Sequence, residues 1–318
     1  MRLLLALLLV APLAAAQEPP KQDPPKQDPP KAPAAAPKSG PATDEEADAA
    51  VAAFKKAMSG AIPSAQATAL KELGKVRHEK VIRAIVPWLR TSNVDVAATA
   101  AFQLGELDHS VSADSLVAAI EPHAKHPMVL AAIFDALGKL GYESTSPVLV
   151  KLIDRSSDDD WRKPLEDVFA AIGRIGSENA VDPLLDWRRK NGGFGGGGGR
   201  RFGGGGGEMS GAKLRAACDK ALKDITGGDE ETTSDWEKWW RANRADLHAA
   251  ATVTYRCRVL WERFDGPLGK KNPCPHASAG DKTHNSCSSA VRVRLIPEPE
   301  ASAPPPPPPE GKQEGGGK

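Results

Sequence analysis

Residues 97–107 read AATAAFQLGEL, and residues 171–185 read AIGRIGSENAVDPLL. Each stretch sets an apolar residue directly before a glycine and another two places after it. The same pairs recur as Leu73-Gly74, Leu104-Gly105, Leu137-Gly138 and Ile172-Gly173, so that the glycines stand 31, 33 and 35 residues apart. Internal repetition at such a period decides the fold before any motif does. Counting from each glycine, Val76, Leu107, Leu140 and Ile175 fill the plus-two column, and Ala69, Ala100, Ile133 and Val168 the minus-five column. Ile85, Leu116, Leu149 and Leu184 lie eleven residues after it.

Each unit therefore carries two apolar stripes at helical period, parted by a short polar turn, and reads as a helical hairpin. One hairpin cannot cover its own apolar stripe, whereas stacked copies bury a continuous core between neighbours. The expected fold is all-α, an α-solenoid of stacked helical hairpins over residues 44–248. The glycine is expected where the two helices of a hairpin approach, because a side chain there forces them apart. Pro147 and Pro183 fit the first turn of the second helix, where a missing N–H does no harm.

The Ala-rich helix, the Leu-Gly pair, the small polar turn and the Pro-Leu step of residues 97–107 and 171–185 resemble HEAT repeats, in particular the short HEAT-like type associated with phycobilisome lyases. The resemblance covers about residues 61–247 and implies fold rather than activity. Farther on, Leu222-Lys-Asp-Ile-Thr-Gly followed by Trp236, Trp239 and Trp240 resembles the ending of HEAT-repeat proteins exported by planctomycete-like bacteria. There Lys223 replaces the glycine, Leu222 and Ile225 keep the register, and Cys218 falls in the buried minus-five column as a small hydrophobe. The tryptophans read as a bulky cap on the exposed core edge in preference to a ligand cage.

Outward from the repeats the chain changes character. Of its 318 residues, 30 are Gly and 28 are Pro, concentrated in three places, so it is part globular and part low-complexity. Arg2, the Leu-rich run to Leu9 and Ala14-Ala15-Ala16 before Gln17 read as a signal peptide, residues 1–16, too short to span a bilayer as an anchor. The mature chain is expected to be exported, periplasmic or extracellular, with no membrane span. Residues 17–43 form a Pro-rich linker repeating Lys-Gln-Asp-Pro-Pro, read as an extended spacer rather than a ligand for a proline-binding groove. Thr43 and Glu46 then make a capping box that opens a helix with Val51, Phe54 and Met58 on one face. Residues 192–207 are a Gly-rich insertion within a repeat. Its Phe194, Arg200, Arg201 and Phe202 resemble RNA-binding arginine-glycine segments, a reading that export disfavours against a flexible loop. In the tail, 249–296, Val253, Tyr255, Cys257 and Val259 alternate, as do Val291, Val293 and Leu295, which predicts two short strands, a possible β-hairpin, with a long loop between them. Residues 297–318, with six consecutive prolines, are expected to be disordered.

Lys and Arg number 42 against 41 Asp and Glu, which excludes a strongly basic nucleic-acid binder judged by net charge. No nucleophile, base and orienter share the repeat columns, so no catalytic residue and no cofactor is assigned. His78, His109, His123 and His126 fall at inter-helix turns, where solvated histidines are usual. Asp158, Asp159 and Asp160 read as N-terminal charge for the helix holding Trp161. Cys274, His276, His284 and Cys287 are the weak metal candidates, since two thiolates and two imidazoles suit tetrahedral zinc. In an exported chain Cys257, Cys274 and Cys287 are also disulfide candidates, and the pairing stays open. The remaining surface is the inner face, lined by second helices. Nine, thirteen or sixteen residues past each glycine stand Arg83, Arg90, Asp114, Glu121, Lys151, Asp154, Asp186 and Arg189. Their mixed signs suit a protein or peptide partner better than a polyanion, although a merely solvated face is equally compatible. The expected function is a non-catalytic exported scaffold for protein–protein interaction. The alternatives are the chromophore-attachment lyase activity that the resemblance implies and a metal-binding tail.

Overall fold

The computed structural model describes residues 41–155, 159–191, 207–275 and 288–296. The signal peptide, the Pro-rich linker up to residue 40, the glycine run 192–206 with Phe194, Arg200, Arg201 and Phe202, and the 297–318 tail lie outside the described residues, as do Asp158, His276, His284 and Cys287.

Helix α1 (Asp44–Met58) opens on the expected capping box: Glu46 N–H donates to Thr43 Oγ1 at 3.2 Å, and Thr43 N–H donates to Glu46 Oε2 at 2.9 Å. Five hairpins follow. The first pairs α2 (Pro63–Leu73) with α3 (Glu79–Ile85), which runs on into a 3-10 turn, Val86–Arg90; the second pairs α4 (Val94–Glu106) with α5 (Ser110–Ala119). The third pairs α6 (Pro127–Leu140) with α7 (Ser146–Asp154). A single turn, α8 (Asp159–Arg162), then buries Trp161 ahead of the fourth pair, α9 (Leu165–Ile175) and α10 (Val181–Asn191). The last pairs α11 (Gly207–Thr226) with α12 (Thr233–Ala250). Pro147 sits in the first turn of α7, and Pro183 is the third residue of α10 after the 3-10 turn Glu178–Ala180. The chain is an α-solenoid. Leu104, Leu137, Ile172 and Leu222 are wholly buried, as are Ile85, Leu116, Leu149 and Leu184.

The glycines do a different job from the one expected. A Cβ built on Gly105 would lie 2.8 Å from Ala136 Cβ and 2.9 Å from its Cα; at Gly173 it would lie 3.1 Å from Ala221 Cα. They admit the first helix of the next unit, α4 against α6 and α9 against α11, and not the partner helix of their own hairpin. From the second unit on, the first helices thus stack with an alanine two places before the repeat position, Ala136, Ala171 or Ala221, as the facing residue, whereas Gly74 meets the side chain of Gln103. In the second, third and fourth units the turn after the first helix reverses direction through a left-handed residue three places beyond the glycine: Asp108 at φ 46°, Gly141 at φ 64° and Gly176 at φ 75°.

The tail also departs from the expectation of two strands and a long loop. It forms a three-stranded antiparallel sheet, β1 (Thr252–Cys257), β2 (Glu262–Pro267) and β3 (Ser288–Arg294), in the order β2-β1-β3. Val259, expected in the first strand, lies exposed in the turn between β1 and β2. A bulge between Thr254 and Tyr255 shifts the alternation by one, so that Arg256 is buried where Tyr255 is half exposed. β2 escaped the sequence reading because Glu262 to Pro267 holds Arg, Asp, Gly and Pro rather than an apolar alternation.

The sheet lies along the turn edge of the solenoid. Arg256 Nε donates to the Asp108 carbonyl at 3.1 Å, Arg292 packs on Gly141, the Val293 carbonyl reaches Gly176, and Ile296 packs on Gly227. It thereby touches the turns of four successive units, and Val291, Leu295 and Trp261 join the solenoid core.

Candidate functional site

All eight charged positions assigned from the sequence are exposed on second helices or the 3-10 turns that extend them. Half of them are engaged within the chain. Arg83 pairs with Glu79 one turn earlier; Glu121 pairs with Arg155 of the next unit; Arg189 pairs with Asp186 and, at 2.8 Å, with Glu237 on α12. Arg90, Asp114, Lys151 and Asp154 make no ion pair among the described residues. The mixed signs thus serve partly to join neighbouring units, and exposed pairs of this kind add little to stability.

Concavity appears at one end of this row. A groove of about 710 Å³ lies between α1 and α3 with its 3-10 turn. Val51, Phe54, Met58, Pro87 and Trp88 line it, and Lys55, Lys80, Arg83 and Asp48 form its polar margin. The register builds it: α1 precedes the first repeat and lays Val51, Phe54 and Met58, spaced as one helical face, over the second helix of unit one. Phe54 meets Trp88 edge to face at 6.1 Å between ring centres. Lys80 Nζ sits 2.8 Å from both Asp44 Oδ1 and Asp48 Oδ2, and this bond to Lys80 holds the Asp44 carboxyl below its ordinary range. Arg83 alone belongs both to the sequence-assigned row and to the groove. Trp88 was missed; the Pro87-Trp88 step after the Ile85 column was the available signal.

The histidines divide. His126 is exposed, as expected, while His109 and His123 are buried, against the expectation of solvated side chains. His109 caps α5, its Nδ1 accepting from Val111 N–H at 3.2 Å, and stacks on Trp261 of the sheet at 5.4 Å. Burial, reinforced by Arg258 and Arg256 and opposed by Glu79 and Asp108, pulls its pKa down to about 4. His123 donates through Nε2 to the Leu89 carbonyl of the preceding unit. His78 Nδ1 accepts from Lys80 N–H as the cap of α3. All three fasten backbone.

Arg188, also unassigned from the sequence, is only 7% exposed and ties three elements together. It pairs with Asp219 of α11 and donates to Thr233 Oγ1 at 2.8 Å and to the Glu231 carbonyl at 2.6 Å. Beside it Trp236 and Trp240 close the end of the core, Trp240 Nε1 donating to Asp182 at 3.0 Å. Cys218 is buried in the main core, its Sγ 3.6 Å from the Leu184 carbonyl, and burial pushes its thiol pKa well up. Of the metal and disulfide candidates only Cys257 and Cys274 are described, packed together in a small cluster of their own. Among the described residues no helix is long and apolar enough to cross a membrane.

Residues 82–170 match the family model for HEAT repeats. Over that segment the chain is similar to HEAT repeats. The match runs from the second helix of the first unit into the first helix of the fourth, within the segment whose register was read from the glycines. No curated protein matches the chain.

Proposed function

We propose that this chain is an exported, non-catalytic scaffold that binds a protein or peptide partner along the face of its second helices. HEAT repeats commonly serve as protein-interaction scaffolds, and stacked repeats offer long surfaces built from successive equivalent helices. The observation that carries the reading is the groove of α1 and α3: an apolar floor with Trp88 and Phe54, opening beside Arg83 at the start of the charged row. An aromatic floor with a polar margin is the make-up of a surface that buries a partner's side chain. Export rests on the order of Arg2, the Leu run and the alanines before Gln17.

The test places a photo-crosslinking residue at Arg83 in one variant and at Lys71, on the first helix of the same unit, in another. Partner capture through position 83 and its loss on reversal of Arg90, with the melting curve unchanged, is the expected result. Equal capture from position 71 removes the second-helix assignment. Export is checked by the mass of the native protein, which should begin at or within a residue or two of Gln17; an intact Met1 ends that part of the proposal.

A further inference from the structure

The sheet carries two cysteines with a setting unlike that of Cys218. Cys257 ends β1 at 0% exposure, and Cys274, at 1%, lies on the segment that follows β2 and folds back over it, Pro273 resting 3.2 Å from where a side chain on Gly266 would begin. The two sulfur-bearing residues form a cluster separate from the main core, closed by Leu260 and Phe264. Leu260 N–H donates to Cys257 Sγ at 3.4 Å, an interaction that favours negative charge on that sulfur. Cys274 N–H donates to Asn272 Oδ1 at 2.9 Å, which fixes the backbone leading into the second cysteine. Cys218, by contrast, has no second cysteine in its cluster among the described residues.

We propose that Cys257 and Cys274 are joined as a disulfide in an oxidising compartment, and that this bond locks the β1–β2 hairpin onto the second repeat. The reaction starts from the two thiols while the chain folds, before the sheet closes them off from solvent. The oxidant is a disulfide, either oxidised glutathione or a dithiol oxidase. The Cys257 thiolate attacks one of its sulfurs, forming a mixed disulfide and expelling the other sulfur as a thiolate. Cys274 then gives up its proton and attacks Cys257 Sγ, and the second oxidant sulfur departs. Two electrons pass to the oxidant, its two sulfurs take up the two protons, and one S–S bond remains in the protein. The closed segment, residues 258–273, contains Trp261, which stacks on His109, and Arg263, whose Nε donates to Asp108 Oδ2 at 3.1 Å. Cross-linking this segment restricts the unfolded chain at the place where the sheet grips the solenoid.

The full-length chain is unfolded, refolded in the presence of oxidised glutathione, alkylated under denaturing, non-reducing conditions and digested with trypsin, which cuts between the two cysteines at Arg258 and Arg263. The expected result is one cross-linked species joining the Cys257 and Cys274 peptides, lighter by two hydrogens than their sum, with Cys218 alkylated. Reduction should lower the melting temperature by roughly 5 °C or more, and Cys274→Ser should abolish that shift. Alkylation of both cysteines overturns the proposal, as does a bond from either to Cys287. Stoichiometric zinc accompanying two alkylatable thiols overturns it in favour of metal ligation. Should Cys274→Ser fail to fold, the peptide map of the wild-type chain decides alone.

Discussion

Replacing Gly105 by alanine tests the way the first helices stack. The added Cβ would meet Ala136 Cβ at 2.8 Å and its Cα at 2.9 Å, whereas touching carbon atoms settle at about 3.5–4.0 Å. Helices α4 and α6 must therefore separate by roughly 1 Å, and overpacking of this kind costs about 1–3 kcal/mol. Against that stands a gain of about 0.5–1 kcal/mol from removing a glycine within a helix. Gly211 in α11 provides the matched control, because a Cβ built there meets nothing within 4 Å. Gly211→Ala should raise stability by about 0.5–1 kcal/mol. The two variants share the backbone gain, so their difference, about 1–3 kcal/mol, isolates the steric cost. Urea titration followed by far-ultraviolet circular dichroism reads this as a lower midpoint for Gly105→Ala and a higher one for Gly211→Ala at unchanged slope. Adding Ala136→Gly to Gly105→Ala should restore only part of the loss, since the clash with the backbone at position 136 persists. Equal shifts from the two single variants would refute close stacking of α4 on α6, and complete recovery in the double variant would refute a backbone origin for the clash.

Three further outcomes follow from the packing. Leu137 is wholly buried beside its repeat glycine, and Leu137→Ala should cost about 2–5 kcal/mol in the same titration; a silent substitution would mean the repeat register is wrong. Arg188→Met should cost about 1–3 kcal/mol by stranding the Glu231 carbonyl and Thr233, a figure tempered by the partial exposure of Asp219; it should also speed hydrogen exchange at the start of α12. His109 has its pKa drawn from 6.5 down to about 4, so the unfolded chain takes up this proton at a higher pH than the folded one. The stability due to neutral His109 is therefore complete above about pH 6.5 and falls as pH drops toward 4, by about 2–3 kcal/mol. His109→Asn, which keeps a capping side chain, should flatten that part of the stability profile, and an unaltered profile would show that another group titrates there.

Much of the helical architecture was legible because the period of apolar residues is a local property. Leu104, Leu137 and Ile172 announce a buried column whether or not their neighbours in space are known, and Thr43 with Glu46 announces a helix start from four residues alone. The candidate site was legible only in outline. Arg83 and Arg90 could be placed on a second helix by counting from Gly74, but the groove beside Arg83 needs α1 to cross it, and no residue of α1 states where that helix will lie.

What the sequence determined by itself is the repeat: the hairpin unit, its register and the resulting α-solenoid, since a helix stripe that cannot be covered within one unit must be covered by the next. What only the tertiary structure decided is every feature depending on which distant surfaces meet. The glycines face the following unit because the first helices stack more closely than the members of a hairpin. Asp108 gains Arg256 and Arg263, and His109 loses its water, because a sheet that begins more than 140 residues later folds back on the turn edge. Arg188 is buried because α11 and the approach to α12 close over it. Such meetings are set by the burial of apolar surface and the pairing of charge across long separations in the chain, and no periodicity within a single segment records them.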